Sequence, residues 1–261
     1  MSERIDPVTG EPASISYVNV HKSFGTQHVL RGLNLAIPRG KITVIIGRSG
    51  TGKSVTIKHV MGLLRPDKGE IWVGNDNLAT MRDRDLRTVR NRFGVVFQDA
   101  ALFDSMNVLD NVAFPLREHS RLRDREVVAK VRGLLAQVGL AGAELKLPSQ
   151  LSGGMRKRAG LARALVRDPE FVLYDEPTTG LDPILTAAMD KLIVDTQESR
   201  PGITSVVISH DMHAVLGIAD KIAMLVDGVV AHEGTPEYFK NSKDPLVHQF
   251  LTGSLDGPMK V

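Results

Sequence analysis

The chain has no cysteine, which excludes structural disulfides, thiolate metal sites and cysteine nucleophiles. Long apolar runs are also missing. The longest clear one, Ile42 to Ile46, is far shorter than the ~20 residues that cross a bilayer as a helix. The opening MSERIDPVTGEPAS is polar and lacks the apolar segment of a secretory signal. The chain is therefore expected to be soluble and to reach any membrane through a partner. No long run carries charge of one sign: 33 basic residues face 30 acidic ones, for a formal charge of +3. That balance describes solvated surface rather than a nucleic-acid face.

What is present suffices for a large core, with 42% hydrophobic residues in 261. ISYVNV (15–20) alternates like a strand, and LRGLNLAIPRG (30–40) reads as a second strand ending in a turn. KITVIIG (41–47) is a β-branched run of the kind buried mid-sheet. It passes through glycines into VTIKHVMGLL (55–64), which has helical spacing, and so begins a βα unit. EFVLYDEP (170–177) and TSVVISHD (204–211) are further short strands, separated by the helical ILTAAMDKLIVDTQES (184–199). This alternation predicts a mostly parallel sheet with helices around it. KIAMLVDGVVAHEG (221–234) predicts a hairpin turning at Asp227-Gly228. Between about 99 and 165 the strand signal fades. VVAKVRGLLAQVGL (127–140) and the stretch after LSGG are helical, which predicts an inserted helical subdomain.

The sharpest signal is Gly47, Arg48, Ser49, Gly50, Thr51, Gly52, Lys53 and Ser54, which fits the phosphate-loop pattern G-x-x-x-x-G-K-[ST]. Glycines let the backbone bend so that several N–H groups point inward; Lys53 can bridge the β- and γ-phosphates, and the Ser54 hydroxyl can ligate Mg²⁺. Val55 continues the nucleotide-binding run. VLYDE ends an apolar strand in Asp175 and Glu176, at the edge where such sheets bind ligands. Alone, that pair reads as a surface loop. Beside a phosphate loop, Asp175 is placed to hold Mg²⁺ through its water shell and Glu176 to polarise an attacking water. His210 closes the SVVIS strand at the same edge and is expected to contact a γ-phosphate. Asp211 and His213 nearby lack a third ligand at a supporting spacing, so no metal site is assigned to them. Gln98 follows the strand FGVVF and could touch Mg²⁺ or water, although a polar residue at a strand end is commonplace. LSGGMRKRAGLARAL (151–165) is a second helix start suited to an anion. Ser152 serves as cap, and Gly153 and Gly154 leave the first N–H groups open. In isolation it is an ordinary serine-capped helix with a basic face.

Taken in order, GRSGTGKS, Gln98, LSGGM, VLYDE and His210 resemble the nucleotide-binding subunit of ABC transporters, over about residues 13 to 240. The resemblance implies an α/β P-loop ATPase core, with a mostly parallel sheet, an antiparallel β subdomain and an inserted α-helical subdomain. The first thirteen residues look like a mobile arm, and the resemblance implies an ATP-binding core at 14–98 and 166–240, a helical signature subdomain at 99–165 and a C-terminal extension at 241–261. It also implies ATP and Mg²⁺, held in a head-to-tail homodimer in which Ser152 and Gly154 of one subunit meet ATP on the phosphate loop of the other. The catalytic set is then Glu176, His210, Lys53 and Gln98, with Ser54, Gln98 and Asp175 toward Mg²⁺. Asp182, in the Gly180-Leu181-Asp182 loop, lines the facing subunit. Phe24 stands where the family stacks an aromatic on adenine, with Tyr17 as a weaker substitute.

Met155 stands where the family signature continues with Gln. SGGMRKR, LFDSMNVLDNVAFPLREH (102–119) and the tail VHQFLTGSLDGP (247–258) resemble the Mla-type ATPases of bacterial lipid transporters that work with MCE-domain proteins. That likeness implies phospholipid transport from the cytoplasmic face of the inner membrane. Its partners would be an integral-membrane permease, an MCE-domain protein and a small STAS-domain protein. An importer ATPase for a small solute shares the same core motifs. A soluble ABC ATPase acting on nucleic acid or the ribosome would carry two cassettes or a coiled-coil insertion, and this chain shows neither.

Overall fold

Short β-branched runs and longer amphipathic runs alternate along the chain and set its elements. The computed structural model describes residues 4–259. In chain order these run β1 (Ala13–Phe24), β2 (Gln27–Pro38), β3 (Ile42–Ile46), α1 (Lys53–Val60), β4 (Lys68–Val73), β5 (Asp76–Asn77) and α2 (Leu86–Arg90). There follow β6 (Phe93–Val96), α3 (Val108–His119), α4 (Asp124–Gln137), a single 3₁₀ turn (Pro148–Gln150), α5 (Gly153–Leu165), β7 (Phe171–Asp175) and α6 (Pro183–Ser199). The chain continues through β8 (Thr204–Ile208), α7 (Met212–Ile218), β9 (Lys221–Val226), β10 (Val229–Gly234), α8 (Pro236–Asn241) and α9 (Pro245–Thr252). Three helices start at an X-Pro step, where Asp182, Thr235 and Asp244 cap the first N–H groups and proline presets the entry dihedral.

Contacts divide the chain into two units, one up to Arg90 and from Val206 onward, the other Asn91–Ser205. In the first, β2-β1-β4-β5 form an antiparallel sheet. Beside it, β10, β9, β3 and β8 neighbour one another in that order, with β3 parallel to β9. All five residues of β3 are buried, as expected of a strand covered on both faces. The β9–β10 hairpin turns at Asp227-Gly228, both with positive φ, the geometry that favours this dipeptide.

In the second unit, β6 and β7 pair in parallel, α5 packs on β6, and α3, α4 and α6 pack on α5. Val112, Val131, Leu135, Ala159, Leu161 and Ala162 form the helical core. Gly94 of β6 meets α5 so closely that a Cβ there would lie 2.3 Å from the Ala164 carbonyl.

Phe93 stacks on Phe171 at 4.7 Å and Arg92 pairs with Glu170, which ties β6 to β7. Two expectations meet a different structure. The helix after the phosphate loop ends at Val60, before Gly62 in a left-handed turn. The arm expected to be mobile at 1–13 is folded from Arg4 onward. Arg4 lies 4.0 Å over the Trp72 ring, Ile5 bridges to Pro12, and Asp6 is wholly buried. The Asp6 carboxylate takes Thr9 N and Oγ1, each at 2.8 Å, and ion-pairs with Lys221. Lys221, also wholly buried, donates to Ala36 O at 3.0 Å and lies 2.9 Å from Glu233 Oε2.

A buried cation that loses one partner keeps its desolvation cost. Asp6→Ala is expected to lower unfolding free energy by about 3 kcal/mol in a denaturant titration. A loss below about 1 kcal/mol would show that the pair behaves as a solvated one.

Candidate nucleotide site

β3 ends by running into three glycines that no other residue could replace without strain or collision. Gly47 sits at φ 149°, and a Cβ there would lie 2.4 Å from Leu225 O. Gly50 and Gly52 adopt φ of 82° and 102°, and Gly52 is the N-cap of α1. The loop closes around the buried Lys53, whose ammonium donates to Gly47 O at 2.8 Å and Arg48 O at 2.9 Å. Thr51 Oγ1 also donates to Arg48 O, at 2.9 Å. The first turn of α1 carries no acidic residue, so its free N–H groups and dipole suit an anion. Ser54 and Val55 follow in that turn, half-buried. Arg48, Ser49 and Gly50 are exposed along a cleft of about 480 Å³ that runs to Thr26–Val29 and the Asp227-Gly228 turn, within the size range of small-ligand sites.

Phe24, at the end of β1, is 46% exposed, and the Lys22 ammonium lies 5.5 Å from its ring centre. Tyr17 is not interchangeable with it. That side chain is buried, its hydroxyl donates to Thr56 O at 2.9 Å, and burial holds the phenol far above its usual range. His210 is exposed just past β8. Lys53, Phe24 and His210 thus belong to the first unit. Gln98, Asp175, Glu176, Asp182 and the LSGG run belong to the second.

In the second unit the strand ends carry the chemistry. Asp175 is the last residue of β7, and Glu176 follows at φ 51°, a left-handed conformation that costs a non-glycine residue about 1–2 kcal/mol. Such cost persists only where the surroundings impose it, and it clusters at functional sites. Here Thr179 Oγ1 donates to Glu176 Oε2 at 3.0 Å, and Thr179 N donates to Glu176 O at 3.3 Å. Gln98 is exposed just past β6. Two more left-handed residues, Ala100 and Ala101, follow it.

Ser152 accepts from Met155 N at 3.3 Å and caps α5 as its sequence suggested. Gly153 and Gly154 face the start of α6, where a Cβ on Gly154 would meet Leu185 at 3.3 Å. Asp182 accepts from Ile184 N and Leu185 N, so its carboxylate fixes the α6 entry. The basic residues of α5 are tied to backbone carbonyls, with Lys157 buried and Arg156 still exposed. Arg156 donates to Leu151 O, Arg158 to Val138 O, Arg163 to Ala100 O and Ala101 O, and Lys157 to Gln98 O. The sequence reading named neither Thr179 nor a role for Lys157. The spacing Lys157, Gly160, Arg163, two cations around a small residue on one helix face, was the signal available for the latter.

The ABC transporter family pattern matches residues 30–179. The chain belongs to the ABC transporter family. It is 44% identical over 246 residues to the probable ribonucleotide transport ATP-binding protein mkl of Mycobacterium tuberculosis, covering 94% of this chain and 68% of that protein. It is 43% identical over 235 residues to MlaF of Escherichia coli, the ATP-binding protein of an intermembrane phospholipid transport system, covering 90% and 87%. The ATP-binding cassette MJ0796, solved as a dimer in a post-hydrolysis state with ADP and Pi, is similar in fold. Its TM-score is 0.78 at 30% identity, over 85% of this chain and 98% of that one. This chain is accordingly an ABC ATPase: it binds ATP and hydrolyses it to ADP and phosphate.

His59, on α1 behind the phosphate loop, is wholly buried, with Nδ1 2.7 Å from Val55 O. Burial holds its imidazole below the ordinary value of 6.5, and the Lys22 charge adds to that against the pull of the Val55 carbonyl. The unfolded chain then takes up the proton first, so stability is complete above the ordinary value and declines as pH falls through it. The melting temperature is expected to be lower at about pH 5.5 than at about pH 7.5, and His59→Gln to narrow that difference. Equal differences in both proteins would remove His59 as the titrating group.

Proposed function

We propose that this ATPase powers phospholipid movement between the inner and outer membranes of a diderm bacterium, from the cytoplasmic face of the inner membrane. The observation that carries the cargo is the likeness to MlaF, which extends over 87% of that protein. Met155 in the signature and the LFDSMNVLDNVAFPLREH stretch support it. In that stretch Val108, Val112, Ala113 and Leu116 are core, while Phe103 is 44% exposed against Phe114. One face is therefore left for a permease while the other packs. No helix among the described residues is long and apolar enough to cross a membrane, so the permease supplies the membrane span. An MCE-domain protein and a small STAS-domain protein complete the assembly.

Two subunits pair head to tail, so that Ser152, Gly153 and Gly154 of each reach the ATP on the phosphate loop of the other, lined by the Asp182 loop. Glu176 takes the proton of the attacking water, and Lys53 and His210 hold the charge that spreads over the γ-phosphoryl oxygens. Ser54, Gln98 and Asp175 present a hydroxyl, an amide and a carboxylate, the hard oxygen donors suited to Mg²⁺. When bound, Mg²⁺ adds positive charge beside the phosphates. Phe24, exposed at a strand end, stacks on adenine.

The relative named for ribonucleotide transport favours a second reading, an importer ATPase with the same hydrolytic site and a small-solute cargo.

Glu176→Gln is expected to slow hydrolysis by about 100-fold or more while an ATP-bound dimer accumulates on size exclusion. Normal turnover by that variant would remove Glu176 from the role. Lys53→Ala should instead weaken ATP binding, read by titration with a fluorescent analogue. Purification of the tagged chain from native membranes should bring down a permease, an MCE-domain protein and phospholipid. A permease with a solute-binding protein and no lipid would transfer the cargo to small solutes.

A further inference from the structure

Lys157 is a buried cation on α5, 6% exposed, about one turn into the helix that begins with the LSGG run. Its ammonium donates to Gln98 O at 2.9 Å and reaches Glu176 O at 3.5 Å. These carbonyls belong to two of the residues that the proposed hydrolysis needs from this unit. Neither lies in a regular ladder, since Gln98 follows β6 and Glu176 follows β7 in a left-handed turn. Burial disfavours the ammonium, while the Asp99 and Glu176 carboxylates favour it. On the same helix face Gly160 lets Ala100 approach, with a virtual Cβ 3.2 Å from Ala100 Cβ. One turn further, Arg163 holds Ala100 O and Ala101 O at 2.8 and 2.7 Å. The segment from Gln98 to Ala101 is thus clamped along α5, and Lys157 extends that clamp to Glu176.

We infer that Lys157 is a positioning residue for hydrolysis, fixing the backbone at Gln98 and Glu176 together from the helix that carries the signature run. Lys157 contacts neither water nor phosphate in this role. A shift of α5 moves both side chains at once, so the state of the signature helix is read out in the geometry of the water-activating carboxylate. The inference rests on the assignment of Gln98 and Glu176 made above.

The test compares full-length wild type with K157M, K157R, Q98A, E176Q and the K157M/Q98A double variant, each purified in its native complex. Hydrolysis is followed against ATP concentration, with melting temperatures measured in parallel. K157M is expected to lower kcat by about 10-fold or more while KM for ATP stays within about 3-fold, because the phosphate loop is untouched. K157R, whose guanidinium can donate to both carbonyls, should recover most of the rate. The double variant should be no slower than the slower single one, as for residues acting through one element. If K157M does not fold, K157Q, which keeps a donor without the charge, carries the same comparison. A kcat within about 2-fold of wild type in K157M would overturn the inference, as would equal losses of kcat and thermal stability in both K157M and K157R. Wild-type rates in Q98A and E176Q would instead sink the site assignment itself.

Discussion

Lys53, Lys157, Arg163 and Lys221 each donate to backbone carbonyls. The carbonyls concerned include those of tight loops, where left-handed residues such as Gly47, Ala100 and Ala101 interrupt any ladder. A buried carbonyl without a donor and a buried cation without an acceptor are each costly, and here each supplies the other. The exchange recurs at the phosphate loop, at the segment after β6 and at Ala36 of β2. It ties loop geometry to lysine and arginine side chains that reach these carbonyls.

Much of the local geometry follows from that constraint. The phosphate loop is shaped by glycines and closed on the Lys53 ammonium. Glu176 is held in an unfavourable backbone conformation by Thr179 and Lys157, and a residue so fixed loses little further freedom when the reaction needs it. The signature helix is more than a scaffold for Ser152. Through Lys157, Arg158 and Arg163 it gathers the ends of β6, β7 and α4.

Several elements were legible because their residues carry local constraints. The β-branched run at 42–46, the Asp227-Gly228 turn, the Ser152 cap and the phosphate-loop glycines are each dictated by dihedral sterics, local hydrogen bonding or periodicity. Others were not. β4 went unnoticed although GEIWV has strand character, because six residues between turns give little pattern to read. The N-terminal segment looked like a polar arm. Its fold hangs on Asp6 meeting Lys221, a pair separated by most of the chain, and no local rule couples them. Tyr17 and Phe24 were both aromatic candidates near the same strand; only burial separates the first from the second.

The sequence by itself determined the phosphate loop, the order of the motifs and the family, since each depends on residue types at short fixed spacing. The tertiary structure decided where the charges of α5 go and that Asp6 and Lys221 are buried together. Those outcomes depend on which carbonyls remain unpaired once strands and helices have formed. That is a property of the packed chain, and residues far apart in sequence settle it only when they meet.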